Sequence, residues 1–382
     1  MDNRVVAEVF PPGVFIKEEL EERGWTQTDL AVILGVYPSM VNEIITSKRS
    51  ISPEIANGLG VAFGTGGQFW LNMDAVYQLS RTKPSDDAIA RRARLYERFP
   101  VRDITRRHWV EHSDNIDVLE KRFCDFFGIA ACDENPIIAH APRKTATKIS
   151  RYDETNTAPA AWLCRARKLA PVVHIDGRFS DASLARALVE LRNLLPNPED
   201  TRHVPRILSK AGIRLLVIEP IANTRIDGAT LWLNASSPVM ALSLRYDRID
   251  WFWFTLMHEI DHVQNREGME VPVVDADIVG EHIAGKEDDK PGNEKRADRF
   301  ASDFLVAKAE MDKFIARIKP LYSKTRIRLF AQRLQVHPGV VVGQLQRRGE
   351  IEYRHNREML EKVRAILTSS ALTDGYGNTP ML

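Results

Sequence analysis

Apolar residues recur at helical spacing through residues 13–79 and 158–212. They contract to short strand-like runs between 213 and 244 and return to a helical period from 251 onward. Over the first stretch, glycine and proline punctuation predicts five short helices. The first covers 14–23 and is stopped by Gly24. Thr26 caps Gln27–Leu34, with Asp29 at the third helical position in the manner of a capping box. Gly35 ends that helix, Val36-Tyr37 forms a tight turn, and Pro38 opens a helix over 39–46. Ser52 caps Pro53–Phe63, and 68–79 closes the set.

The pattern then weakens. Residues 118–127 are apolar and helix-like, stopped by Gly128, whereas 136–150 are polar, basic and without period, as in an interdomain loop. Helices are expected again at Ala158–Leu169, 183–194 and 201–211, with Leu184, Leu188, Leu191 and Leu195 at core spacing. Strand signals follow at 213–219, 228–233 and 240–244. They lead directly into 251–263, WFWFTLMHEIDHV, which is apolar nearly all round ahead of His258, as a buried helix is. Asp250 is its expected N-cap. A polar, acidic stretch ends at Asn293, the expected N-cap of a helix over 294–306. That helix carries Ala297, Phe300, Ala301, Phe304 and Leu305 on one face, with Glu294 one turn ahead on the same side. The tail over 327–352 reads helix, turn, helix, strand. Val341, Val342 and Leu345 should point inward there, and Arg347, Arg348 and Arg354 toward solvent; beyond about Thr368 the chain looks frayed. The expected fold class is mainly α with a small β-sheet (α+β). Its expected divisions are 1–80, a helical connector over 81–157, a larger domain over 158–368 and a tail over 369–382.

Composition narrows the classes. A length of 382 residues favours two or three domains, and a net charge of +1 gives no global bias toward nucleic acid or membrane. No stretch approaches the roughly 20 apolar residues of a membrane span, so no membrane association is expected. MDNRVVAEVF lacks a signal-peptide layout. Cys124, Cys132 and Cys164 are odd in number and form no C-x-x-C, which argues against a disulfide framework or a cysteine zinc site and for a reducing cytoplasm.

Candidate chemistry concentrates at His258-Glu259-Ile260-Asp261-His262, a match to H-E-x-x-H. On a helix the two histidines lie one turn apart on one face, where they can hold one Zn²⁺, and Glu259 beside them can serve as general base. The same spacing also suits a hydrogen-bonded core pair. Glu294 on the second helix would complete a His₂Glu set with a fourth position open for water. A carboxylate at a helix N-terminus is favoured by the macrodipole in any case, and Asp298 and His282 are further candidates. Asn265 and Gly268 stand at the glycine and third-histidine positions of the metzincin pattern and exclude it.

In the first domain, helix, glycine-bearing turn, helix is a helix-turn-helix layout with 38–47 as recognition helix. Residues 1–80 hold five basic against ten acidic side chains, a net charge of −5, which weakens phosphate contact by a monomer. Arg91, Arg92, Arg94, Arg98, Arg102, Arg106 and Arg107 form a basic run that is either a solvated face or a source of the missing phosphate contacts.

Two resemblances carry the expectation further. Pro11-Pro12-Gly13, Arg23-Gly24-Trp25-Thr26-Gln27, Ile51-Ser52-Pro53-Glu54 and the later Gly64-Thr65…Phe69-Trp70-Leu71-Asn72…Tyr77 resemble the HigA-type antitoxin branch of the XRE (lambda-repressor-like) DNA-binding domains. That resemblance implies a five-helix bundle, a homodimer, operator DNA as ligand and a toxin protein as candidate partner. It implies base-edge contacts from Ser39, Met40, Asn42 and Glu43, phosphate contacts from Gln27, Thr46, Lys48 and Arg49, and core positions for Val41 and Ile44. Over about 160–355, RYDRIDWFWFTLMHEIDHV, EKRADRFASDFLVA and FAQRLQVHPGVVVGQLQRRGEI resemble the ImmA/IrrE metallopeptidases. This second resemblance implies a zincin-like domain with zinc held by His258, His262 and Glu294, Glu259 as base, and repressor cleavage as role. The sequence departs from that family in three places: Asp261 replaces a small residue, Val306-Ala307 replaces Met-Pro, and 265–292 is long.

The expected protein is a DNA-binding regulator joined to a zinc metallo-endopeptidase that cleaves itself or a partner repressor. The alternatives are a regulator whose zinc domain only senses or binds a partner, and a peptidase whose helical domain docks a protein.

Overall fold

The computed structural model describes residues 9–81, 87–136, 157–278 and 290–378. The chain divides into two compact units, Met1–Arg91 and Arg92–Leu382.

The first unit is a helical bundle of α1 (Pro12–Arg23), α2 (Gln27–Leu34), α3 (Pro38–Ile45), α4 (Pro53–Phe63) and α5 (Gly67–Arg81). Its core gathers Ile16, Leu20, Leu30, Val41, Ile44, Leu59 and Trp70. The caps are those the sequence dictates. Thr26 Oγ1 accepts from the Asp29 amide at 3.2 Å, and Asp29 Oδ2 accepts from the Thr26 amide at 2.8 Å. Ser52 accepts from the Ile55 amide at the head of α4. Gly35 sits at φ 68°, left-handed backbone that closes α2 without Cβ strain. The chain then turns through 115° into α3, within the range of a helix-turn-helix corner.

Helix α6 (Asp87–Arg98) carries the chain from one unit to the next. The second unit continues with α7 (Val101–Arg106), α8 (Ile116–Phe127), α9 (Ala158–Leu169), α10 (Asp181–Arg192) and α11 (Val204–Lys210). Then come strands β1 (Arg214–Ile218), β2 (Ile226–Trp232) and β3 (Pro238–Leu242), helix α12 (Ile249–Gln264), strand β4 (Val273–Ala276) and helix α13 (Gly292–Leu305). The unit ends with α14 (Lys308–Ile318), α15 (Lys324–Leu334), α16 (Pro338–Arg347), α17 (Arg364–Thr368) and strand β5 (Leu372–Asp374). The strands form one mixed sheet in the order β4-β2-β3-β1-β5. Strand β1 runs parallel to β3 and β5, and β2 antiparallel to β3 and β4. A helical first unit joined to a second unit with this small sheet is the α+β arrangement that the change of hydrophobic period implies.

Helix α12 lies within the core of the second unit, where Phe252, Trp253, Leu256, Met257, Ile260 and Val263 are all buried. It packs against α13, α16 and the sheet. An all-round apolar helix is stable only with neighbours on every side, and this one has them.

Six local expectations are corrected. The helix expected over 201–211 divides into a 3₁₀ turn, Pro198–His203, and α11, because Pro205 lacks the amide hydrogen that a continuous helix needs there. Asp250 does not cap α12. The helix begins at Ile249, and the Asp250 carboxylate is gripped by Arg248, Nε to Oδ1 at 3.0 Å and Nη2 to Oδ2 at 2.8 Å. Asn293 lies inside α13, where its amide donates to Glu294 Oε1 at 3.0 Å. The polar stretch after α12 contains a strand, β4, and residues 350–353 are not one. Arg347 does not face solvent: it donates to the Ile278 carbonyl at 2.9 Å and to Asp298 at 2.8 Å.

The tail beyond Thr368 carries β5, which pairs along β1. Its Asp374 accepts from Arg165 of α9 at 2.5 Å, with both side chains nearly excluded from solvent. Breaking a buried ion pair from one side leaves an uncompensated charge, at a cost of about 3–5 kcal/mol. Asp374→Ala is therefore expected to destabilise the second unit by that amount, read as a lower urea midpoint; an unchanged midpoint would show that β5 is dispensable.

Candidate metal centre and nucleic-acid interface

Helical spacing on α12 brings His258 Nε2 and His262 Nε2 within 3.1 Å of each other. Glu294, in the first turn of α13, reaches the same point, its Oε2 lying 3.3 Å from His258 Nε2 and its Oε1 3.9 Å from His262 Nε2. A fourth group arrives from the sheet. Asp275 on β4 places Oδ2 at 3.5 Å from His258 Nε2 and 3.4 Å from His262 Nε2. One ligand atom from each of the four lies within 4.8 Å of the others, and all four side chains are buried.

The cluster fits a metal ion on two independent grounds. Tetrahedral ligands at about 2.0–2.1 Å from an ion stand roughly 3.3–3.4 Å apart, and the contacts above bracket that spacing. Asp275 Oδ2 and Glu294 Oε2 are moreover buried without a hydrogen-bond partner, as is Glu259 Oε1. Acceptor oxygens orphaned at one point call for a cation. Burial and the neighbouring charge of Asp275 push the Glu294 carboxyl up. Burial opposes ionisation of Asp275 as well, but His258 and His262 hold its carboxyl well below the usual range.

Each histidine is backed by a carboxylate on its other nitrogen. His262 Nδ1 meets Glu267 Oε2 at 2.5 Å, and His258 Nδ1 lies 3.1 Å from Asp298 Oδ1. Such partners orient the rings and raise their basicity as ligands. Asp298 is itself held by Lys290 and Arg347, and Glu267 by Arg296 at 3.3 Å. Of the sequence candidates for a third ligand, Asp298 thus stands behind His258, and His282 lies outside the described residues. Asp261 turns away to Arg296 at 2.8 Å.

Glu259 lies beside the cluster, facing β2. Thr230 Oγ1 donates to its Oε2 at 2.7 Å, while burial and the charge of Asp275 push its carboxyl well above the usual range. Space for Glu259 exists because Gly228 has no side chain: a Cβ there would stand 2.1 Å from Glu259 Oε1. Gly228 is also the register partner of Asp275 across the β2–β4 ladder. Asp275, Thr230 and Glu267 were not singled out from sequence. The readable signal for Asp275 was a carboxylate inside the apolar run Val271-Pro272-Val273-Val274-Asp275.

In the first unit, Ser39, Asn42, Thr46, Lys48 and Arg49 are exposed on or just after α3, and Gln27 is half-buried at the start of α2. Met40 packs partly onto the core. Glu43 is engaged by Arg49 at 2.8 Å, and Thr46 Oγ1 donates to the Asn42 carbonyl at 2.7 Å. Part of the basic run is spent inside the second unit. Arg107 donates to the carbonyls of Glu219 and Pro220, Arg98 to Asn135, and Arg106 pairs with Asp103.

The helix-turn-helix family model matches residues 16–70. The HTH-type transcriptional regulator YddM of Escherichia coli K12 is 31% identical over 84 residues, which are 22% of this chain and 88% of that protein. Virulence-associated protein I of Dichelobacter nodosus is 37% identical over 79 residues, 20% of this chain and 73% of that protein. A Pseudomonas aeruginosa protein solved with its operator DNA is 36% identical and covers 19% of this chain and 78% of its own, with a TM-score of 0.18. Among the described residues no single helix is long and apolar enough to cross a membrane.

Two outcomes follow from the metal centre. Free zinc at about 100-fold above its Kd should stabilise the second unit by about 2.7 kcal/mol. That corresponds to a rise of roughly 5–10 °C in melting temperature over the chelated protein. His262→Ala should abolish the difference, and equal melting with and without chelator would exclude the ion. Gly228→Ala should force Glu259 off Thr230 and lower stability by about 1–3 kcal/mol in equilibrium unfolding; a neutral result would show that the Glu259 side chain is free to move.

Proposed function

We propose, for a chain that belongs through its first unit to the helix-turn-helix family, a DNA-binding transcriptional regulator that carries a zinc metallo-endopeptidase. The observation that carries this reading is the convergence of His258 Nε2, His262 Nε2 and Glu294 on one buried point, with Glu259 on the same helix. Two imidazoles with carboxylate suit zinc by donor type, and H-E-x-x-H with a downstream glutamate is the His₂Glu peptidase arrangement. The sequence resemblance to the ImmA/IrrE peptidases points the same way and makes a repressor, or a second copy of this chain, the natural substrate. Operator DNA, a homodimer and a toxin partner belong to this proposal through the HigA-like first unit, as does a cytoplasmic setting.

His258, His262 and Glu294 would hold the ion, with Asp298 and Glu267 fixing the two rings. Zinc bound there supplies Lewis acidity, polarising a peptide carbonyl and acidifying water. Glu259 accepts the proton of the attacking water on its carboxylate and returns it to the leaving amine nitrogen. Thr230 orients Glu259 through Oε2 and leaves Oε1 for that transfer. In the first unit α3 would enter the major groove, with Ser39 and Asn42 exposed to base edges and Lys48 to phosphate.

Zinc-loaded protein incubated with a Glu259→Gln copy should generate fragments of that copy in intact-mass spectra. The Glu259→Gln protein alone should keep its zinc and cleave about 10²–10⁴-fold more slowly. Absence of fragments from any combination would sink the peptidase reading. On DNA selected from random duplexes by the full chain, Lys48→Ala should reduce the salt slope of binding by about one. Arg49→Ala should do less, because Glu43 already engages that guanidinium. No retention of any duplex would leave the helical unit as a protein-docking module.

A further inference from the structure

We infer that Asp275 is a fourth protein ligand of the metal, filling the corner of the tetrahedron that a hydrolytic water would need, so that the centre as folded is closed. This inference rests on the reading of the cluster as a zinc site and concerns how that site is regulated.

The geometry makes Asp275 equal to the ligands expected from sequence. Its Oδ2 stands 3.5 and 3.4 Å from the two histidine Nε2 atoms, against 3.3 and 3.9 Å for the Glu294 oxygens. Its side chain is as buried as theirs, and Oδ2 has no hydrogen-bond partner. Closed four-ligand sets are the mark of structural zinc sites, and three protein ligands with an open position the mark of catalytic ones.

The position of Asp275 in the sheet makes the closure reversible. Strand β4 is an edge strand whose sheet partner is β2. The β2–β4 register slips between Ile226 and Gly228, and Gly228 is the partner of Asp275. A bulge weakens the ladder locally and re-aims a side chain. Withdrawal of β4 would therefore remove one ligand while α12 and α13, which carry the other three, stay packed. An extended peptide that pairs with the sheet edge in place of β4 would do this. In the closed state Glu259 has no water to deprotonate, so the parent cleaves only during the fraction of time that β4 is withdrawn, slowly but measurably.

The test uses full-length protein loaded with Co²⁺ in place of zinc, and azide as a probe for an open coordination position. The parent should bind about one Co²⁺ with a visible spectrum that azide leaves unchanged. Asp275→Ala should bind Co²⁺ at least roughly tenfold more weakly and acquire an azide-dependent spectral shift; Asp275→Asn, which keeps the side-chain volume, should weaken binding in the same direction. Zinc-loaded Asp275→Ala should cleave the Glu259→Gln copy faster than the parent does. An azide shift in the parent equal to that in Asp275→Ala, with equal Co²⁺ affinity, would overturn the inference while leaving the metal centre intact. No Co²⁺ or zinc bound by the folded parent would overturn the metal-site reading itself, and this inference with it.

Discussion

Two imidazoles and three carboxylates, His258, His262, Glu259, Asp275 and Glu294, are taken out of water together at the centre of the second unit. Desolvating ionisable groups costs several kcal/mol each unless their charges are matched. The surrounding structure is arranged around that constraint. Lys290, Arg296 and Arg347 do not enter the cluster; they hold Asp298 and Glu267, which stand behind the two histidines. The imidazoles are thereby aimed with Nε2 inward, and the facing carboxylate oxygens are left without donors. A divalent cation satisfies that arrangement, whereas apolar packing would not.

The elements that meet at the cluster explain its form. Helix α12 supplies the histidines and Glu259 one turn apart, α13 supplies Glu294, and the β2–β4 ladder supplies Thr230 and Asp275. Gly228 is the point where backbone and chemistry constrain each other, since any larger residue would occupy the volume of the Glu259 carboxylate. Burial also separates the two roles that carboxylates can take here. The histidines hold the Asp275 carboxyl low, whereas burial and the charge of Asp275 raise that of Glu259 and make it the stronger proton acceptor.

The first unit follows simpler rules. Its capping box, proline-opened helices and left-handed Gly35 are local features that set where its helices start and stop. Its acidic balance means that DNA affinity rests on few cations. The Glu43–Arg49 pair takes up part of that small set, so Lys48 is left as the more available charge on this face.

Sequence alone determined what depends on near neighbours. Helix caps, the 3.6-residue period of α12 and the one-turn spacing of His258 and His262 are properties of a few consecutive residues, and they fixed the helical bundle, the buried helix and three of the residues at the cluster. Glu294 was legible too, because it sits a turn ahead of an apolar stripe that had to face inward. Only the tertiary structure decided the rest. Asp275 lies in a four-residue strand that has no stability apart from β2, and Asp374 in a three-residue strand that exists because β1 offers an edge and Arg165 a buried charge. Arg347 reads as a surface cation until Asp298 is placed beside it. Pairing between distant segments carries no period along the chain, so these contacts, and with them the place of Asp275 beside the two histidines, became visible only once the sheet was assembled.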